Sequence, residues 1–446
     1  MTYAANRVCH DADSHIMETV DWIARHTDPE LRDRMPPLNL SKSATNSYEF
    51  IQQEVEKQKE RAARGEQPSD VVHGLKGWRA PGAFDAAERK AALDDLGFHR
   101  QLVFSTFSAG QYLQHEDMDV RYGGVRAHNR AMGEFCAGDD RLIAVGQLSL
   151  ADPVRCVEEM KEGVRLGCGA FWIPGMPAGN KSPGHPDLDI VWQAFCDLRV
   201  PFMLHVGPNS KTKIPEYENN GLPKPKDITG AEDGENLRVR DFMVLSIAPQ
   251  QFLTALVFDG VFERFPKLRG GVIELGAGWV PEFLRMLDLS QRIFKKGDPT
   301  LAAMPMKPSD YIRRAVKFTP FPGEDVGRII RDAGPEALSL LERLPAPRGH
   351  QRPDRPLRAH LHRHQRGRQG NVLPHKLRKH DGGARLDVDP RRRAAAPEGL
   401  PDPTRPGNPD RAGPANTSAH PLAALRPVPY RGTLLSRMTQ HVSTRP

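Results

Sequence analysis

The chain has 446 residues, enough for one large barrel or two ordinary domains, and its net charge of +7 is unevenly spread. Residues 339–446 hold 21 Lys+Arg against 8 Asp+Glu, a net of +13, which leaves residues 1–338 at −6. Five cysteines with no CxxC pair argue against a disulfide framework and against a thiolate metal cluster, and a reducing, cytoplasmic setting is expected.

The first residues lack a charged start followed by an apolar stretch, so no signal peptide is expected. The chain also reads as having no apolar run approaching 18 residues, and no membrane span is expected. The first strand candidate follows Val8 and runs into Asp11-Ala12-Asp13-Ser14-His15. Alternate residues of a strand share a face, so Asp13 and His15 point the same way at its C-terminal end. A carboxylate and an imidazole so spaced can clasp one divalent metal; a turn with an Asp cap and a surface His is the competing reading. Glu18 could add a ligand, a hydrogen bond or a helix-start charge. Residues 45–84, charged and Gln/Glu-rich, read as a partly helical insertion near a barrel mouth, with Arg79 as a candidate substrate contact.

Further strand candidates are QLVFS (101–105), LIAVGQL (142–148), CGAFWI (168–173), PFMLHV (201–206), GGVIEL (270–275) and AVKF (315–318). They are short, apolar and bounded by Gly, Pro or polar residues, as buried parallel strands are. Between two of them, residues 152–166 predict a helix whose buried face is Val154, Val157, Met160 and Val164, ended by Gly167. Residues 188–198 predict a second helix, again followed at once by a strand. Alternating strands and helices imply a parallel sheet with right-handed crossovers. Seven strands suit an eight-fold barrel short of one strand; an open doubly wound sheet fits this pattern equally well.

His205 ends an otherwise apolar strand, where it is either a metal ligand or a satisfied core histidine. Glu274 ends the next strand before a Gly-rich loop, as a base, a substrate contact, a partner for a ligating His, or half of a salt bridge. Trp172, Gln147, His128 and Glu324 are weaker candidates, and His128 reads as packing on a helix. There is no phosphate-cradling P-loop and no dinucleotide fingerprint.

Taken together, DADSHIMET, LGCGAFWIPG, FMLHVGP, VFERFPKLRGGVIELGAGW and KFTPFPGEDVGRIIRDAGPEAL resemble the amidohydrolase-related family. The likeness is to its branch with aminocarboxymuconate-semialdehyde decarboxylase and related aromatic-acid decarboxylases, and it covers residues 7–338. It implies a distorted (β/α)8 TIM-type barrel with one divalent ion, zinc or manganese. The implied chemistry is hydrolysis or non-oxidative decarboxylation of a small carboxylate, aromatic or cyclic substrate, in a homodimer. The implied metal ligands are Asp13, His15, His205 and an Asp after strand eight. The family's usual His after strand six is replaced here by Glu274, which leaves the catalytic role of that position open. Trp172 and Arg79 are the expected substrate contacts.

After GPEAL the resemblance implies an apolar strand and a motif like S-S-D-Y-P-H-P-E-G, whose Asp binds the metal. The chain reads SLLERLPAPRG instead. Joining the second and third bases of each codon to the first of the next allows residues 341–349 to encode S-S-D-Y-P-H-P-E-G. Residues 339–446 are therefore read as out of frame, the barrel as lacking its eighth strand, and the enzyme as impaired. Their 19 Arg against 2 Lys, 16 Pro, and absence of Phe and Trp suit a disordered tail. A non-catalytic barrel relic is the alternative. A basic arm binding nucleic acid is less favoured, since no repeat, RGG run or aromatic interleaving supports it.

Overall fold

The computed structural model describes residues 8–40, 48–66, 77–108, 110–207, 214–222, 239–321 and 323–338. The tail of residues 339–446 and parts of the 45–84 insertion lie outside the described residues. In chain order the elements begin β1 His10–His15, α1 Trp22–His26, α2 Tyr48–Ala63, α3 Ala86–Leu96 and β2 Arg100–Phe104. Next come α4 Met118–Cys136, β3 Leu142–Gln147, α5 Pro153–Arg165, β4 Cys168–Trp172, α6 Asp189–Leu198 and β5 Phe202–His205. The rest are α7 Val239–Val244, α8 Ile247–Phe258, α9 Val261–Arg264, β6 Gly270–Ile273, α10 Val280–Phe294, α11 Pro299–Ala303, α12 Pro308–Ala315, β7 Val316–Phe318 and α13 Val326–Ala333.

The seven strands form one parallel sheet in the order β1 to β7, each paired with its sequence neighbours. A flat sheet would hold β1 and β5 roughly 19 Å apart. Here Asp13 of β1 touches His205 of β5 at 3.2 Å, so the sheet is curled into most of a barrel. Of the two architectures open to the sequence pattern, the barrel is the one formed. β7 does not pair with β1, and there is no eighth strand among the described residues.

Strand alternation sorts the core into two layers. Leu102, Phe104, Val145, Ala170, Trp172, Met203 and Ile273 fill the inside of the curl. Their strand neighbours Val103, Ala144, Phe171, Phe202 and Val272 pack outward against the helices. β1 interrupts this alternation. Its register slips between Asp11 and Ser14, placing one extra residue opposite β2. Asp11 and Ser14 therefore share the outer face with their β2 partners, while His15 shares the inner face with its partner Phe104.

Helix α5 corrects one sequence expectation. Its buried stripe is Cys156, Glu159, Met160 and Gly163, and Val154 is exposed. Two contacts rotate the helix. Gly163 lies so close to Phe171 that a Cβ would fall 2.7 Å from the ring, and Glu159 pairs with Arg126 of α4. The span 240–258 departs from expectation in another way: it is long and apolar enough to pass for a membrane span by length and hydropathy. Ala248, Phe252, Leu253, Leu256 and Val257 within it pack in the barrel's outer core layer or are buried beside it.

Candidate metal centre

Four polar side chains converge at the C-terminal ends of β1, β5 and β6. Asp13, His15, His205 and Glu274 each present a ligand atom, and all four atoms lie within 4.8 Å of one another. Asp13 Oδ1 is 3.2 Å from His15 Nε2 and 3.2 Å from His205 Nε2. The two Nε2 atoms are themselves 3.2 Å apart, and Glu274 Oε2 is 3.5 Å from His205 Nε2.

The other nitrogen of each ring faces a main-chain carbonyl: His15 Nδ1 lies 2.9 Å from Ser105 O, and His205 Nδ1 2.8 Å from Val206 O. A carbonyl only accepts, so each Nδ1 carries a proton, and in its neutral form each ring turns an Nε2 lone pair inward. Two lone pairs cannot satisfy each other. The arrangement is made coherent by a cation between them, and two imidazoles with two carboxylates form a donor set suited to a divalent ion. Burial is the largest influence on the Asp13 carboxyl and acts upward, but when His15 and His205 are protonated their hydrogen bonds and charge outweigh it and hold the carboxyl well below its usual range.

Local backbone aims Glu274. Ile273 occupies the inner face, so a regular continuation of β6 would send the next side chain outward. Glu274 instead adopts φ +53°, a left-handed conformation uncommon for a residue with a Cβ, and its carboxylate reaches His205. Its N–H donates to Thr319 Oγ1 at 3.0 Å. The loop that follows is fastened by Glu324, whose carboxylate accepts from the N–H groups of Ala277, Gly278 and Phe321 at 2.7–2.9 Å. A Cβ on Gly278 would meet that carboxylate at 2.8 Å, which is why the loop is built of glycine there.

The floor is aromatic. Phe104 and Trp172 each lie with ring centroids 4.6 Å from His205. Beside His205 lies a small, partly open recess walled by Trp172, Leu204, Leu245, Ala248, Pro249 and Leu275. From the outer face of β1, buried Arg89 donates to Ser14 Oγ and His15 O, both at 2.5 Å, and to Gly82 O at 2.7 Å.

Of the residues singled out in the sequence, the structure joins Asp13, His15, His205 and Glu274 and places Trp172 against them. Arg79 faces α2 instead, pairing with Glu54 at 3.2 Å and covering the Phe50 ring. His128 is buried in α4 against Ser108 Oγ at 3.0 Å, and burial pushes its imidazole down to about 3. Gln147 is buried and hydrogen-bonded to Ser105 Oγ, and Glu18 is a hydrogen-bonding group away from the four ligand atoms. Arg89 carried no signal in the sequence, since its partners are main-chain and hydroxyl groups on distant elements.

The Amidohydrolase family model matches residues 11–306, which contain all four converging side chains. The chain belongs to the amidohydrolase family. The fold of this amidohydrolase is shared by an amidohydrolase from Mycobacterium avium subsp. paratuberculosis K-10, at 20% identity and TM-score 0.56, over 75% of this chain and 87% of that one. A 5-carboxyvanillate decarboxylase from Novosphingobium aromaticivorans, solved with bound manganese, is similar at 18% identity and TM-score 0.49, covering 75% and 86% of the two chains. A 2,6-dihydroxybenzoate decarboxylase from Rhizobium is similar at 17% identity and TM-score 0.45, covering 73% and 83%.

Proposed function

We propose that this amidohydrolase holds one divalent ion, zinc or manganese, on Asp13, His15, His205 and Glu274, and acts on a small cyclic or aromatic carboxylate. The observation that carries the reading is the pair of inward Nε2 atoms 3.2 Å apart, each ring fixed by a carbonyl behind it and each Nε2 3.2 Å from Asp13 Oδ1. A bound divalent ion supplies Lewis acidity to a substrate oxygen or to water. The ion offsets the charge of the two carboxylates, so a negatively charged substrate is not repelled by them. Phe104 and Trp172 keep water from beneath the imidazoles, and the apolar wall beside His205 receives the carbon skeleton of the substrate. Glu274, whose carboxylate stands beside His205, is the group placed to hold or return a proton.

Two reactions suit this site, hydrolysis of a carbon–heteroatom bond and non-oxidative loss of carbon dioxide. We further propose that the chain as it stands is impaired. The Asp that the family resemblance places after strand eight has no S-S-D-Y counterpart in residues 339–446, and among the described residues β1 and β7 keep unpaired edges. The test is metal analysis after extensive dialysis, followed by assays of carbon dioxide release and of lactone or amide hydrolysis. Chains with and without the reading frame restored near codons 336–342 would be compared. About one ion per chain, with activity rising sharply on restoration, is expected. A restored chain that binds no divalent metal would leave a non-catalytic barrel as the better account.

A further inference from the structure

Glu18 is a fully buried carboxylate on the loop after β1, and none of the four ligand atoms is its partner. Its two oxygens accept from three successive main-chain N–H groups of the loop after β2: Thr106 at 3.2 Å, Phe107 at 2.9 Å and Ser108 at 2.7 Å. The first of these matters most. The Thr106 N–H and the Ser105 carbonyl belong to one planar trans peptide and point in opposite directions. Glu18 holds the N–H side of that plane, and His15 Nδ1 is bound on the carbonyl side at 2.9 Å. A carboxylate drawing on the N–H also polarises the carbonyl, which makes Ser105 O a stronger acceptor. Glu18 is itself fastened from behind, since Trp78 Nε1 donates to its carbonyl at 2.9 Å and stacks on Phe107.

We propose that Glu18 is a positioning residue for the metal centre: through the Ser105–Thr106 peptide it fixes the tautomer and orientation of His15. The inference rests on the metal reading above, but it also makes a prediction for the metal-free protein. His205 supplies the internal contrast, because its Nδ1 partner is the carbonyl of the adjacent Val206, with no carboxylate relayed through it among the described residues.

The experiment uses the full chain carrying Glu18→Ala and, separately, Glu18→Gln, which keeps the shape and one accepting oxygen. In metal-free protein, nitrogen-15 NMR reads the tautomer of His15, its signal assigned by disappearance in His15→Gln. The wild type should show a proton on Nδ1 of His15. Glu18→Ala should mix the tautomers, and Glu18→Gln should fall between. Cobalt(II) titration should show affinity lowered about 10–100-fold in Glu18→Ala, with an altered visible spectrum. Phe195→Leu, a core change in α6, is the control for general loosening and should leave both readouts at wild-type values. The proposal is overturned if Glu18→Ala, or Glu18→Gln should the former not fold, keeps the wild-type tautomer and cobalt affinity. It is equally overturned if Phe195→Leu shifts them as far. A wild type that binds no cobalt sinks the metal reading, while the tautomer measurement still decides the role of Glu18.

Discussion

The two halves of the metal centre are held by different means. On the β1–β2 side, Asp13 and His15 stand on a bulged edge strand and depend on side chains far along the chain. Arg89 grips Ser14 and the His15 carbonyl from the outer layer, and Glu18 grips the loop that receives His15 Nδ1. On the β5–β6 side, His205 is fixed by its own neighbour's carbonyl, and Glu274 by its left-handed backbone. A strand paired on both sides needs little outside help, whereas an edge strand such as β1 has to be held by buried polar contacts. The first half should therefore fail through substitutions at residues that touch no ligand atom, the second mainly through the strand ends themselves and the Thr319 and Glu324 contacts behind Glu274.

Removing ligands breaks both halves at once. Asp13→Ala and His205→Ala should each lower divalent-metal affinity by ~1,000-fold, about 4 kcal/mol, as read by calorimetric titration. Retention of wild-type affinity in either would sink the metal reading. Arg89→Met should strike the first half alone. It leaves three buried acceptors without their donor, and urea unfolding should show a loss of about 3 kcal/mol.

Acid should also loosen the first half before the second, because His128 supports Ser108 within the loop that Glu18 clamps. An unfolded imidazole takes up a proton near 6.5, the folded one only near 3. Unfolding therefore binds a proton across that window, and stability falls as pH drops from 6.5 towards 3. By pH 5 the loss is about 2 kcal/mol, and His128→Gln should flatten it in urea titrations at several pH values.

Glu274→Gly tests the local half. Freed of its strained φ, the chain should gain up to about 1 kcal/mol of stability while metal affinity falls. A variant both less stable and unchanged in affinity would contradict the account of that half. The smallest effect belongs to Arg79→Ala. Its half-exposed pair with Glu54 is worth under about 1 kcal/mol, and metal content should stay at the wild-type level. A raised KM in that variant would restore Arg79 as a substrate contact.

Polar residues closing short apolar runs were legible in the linear chain. That is how Asp13, His15, His205 and Glu274 stood out before any fold was known, and how strands and helices could be placed to within a residue or two. The inward turn of Glu274 was not legible, because period-two alternation points that side chain the other way and only the backbone dihedral reverses it. The face of α5 was misjudged for a related reason: hydropathy favoured Val154, while the close approach of Gly163 to Phe171 set the rotation.

By itself, then, the sequence determined the alternation of strands and helices, the strand-end ligand types and the change of character after residue 338. The closing of the sheet that brings β1 to β5, and the choice of partners for Glu18, Arg89 and Glu324, were decided by tertiary structure. The physical reason is that these partners are mostly main-chain N–H and C=O groups. Every residue but proline offers the same pair, so only the folded chain determines which of them a given side chain meets.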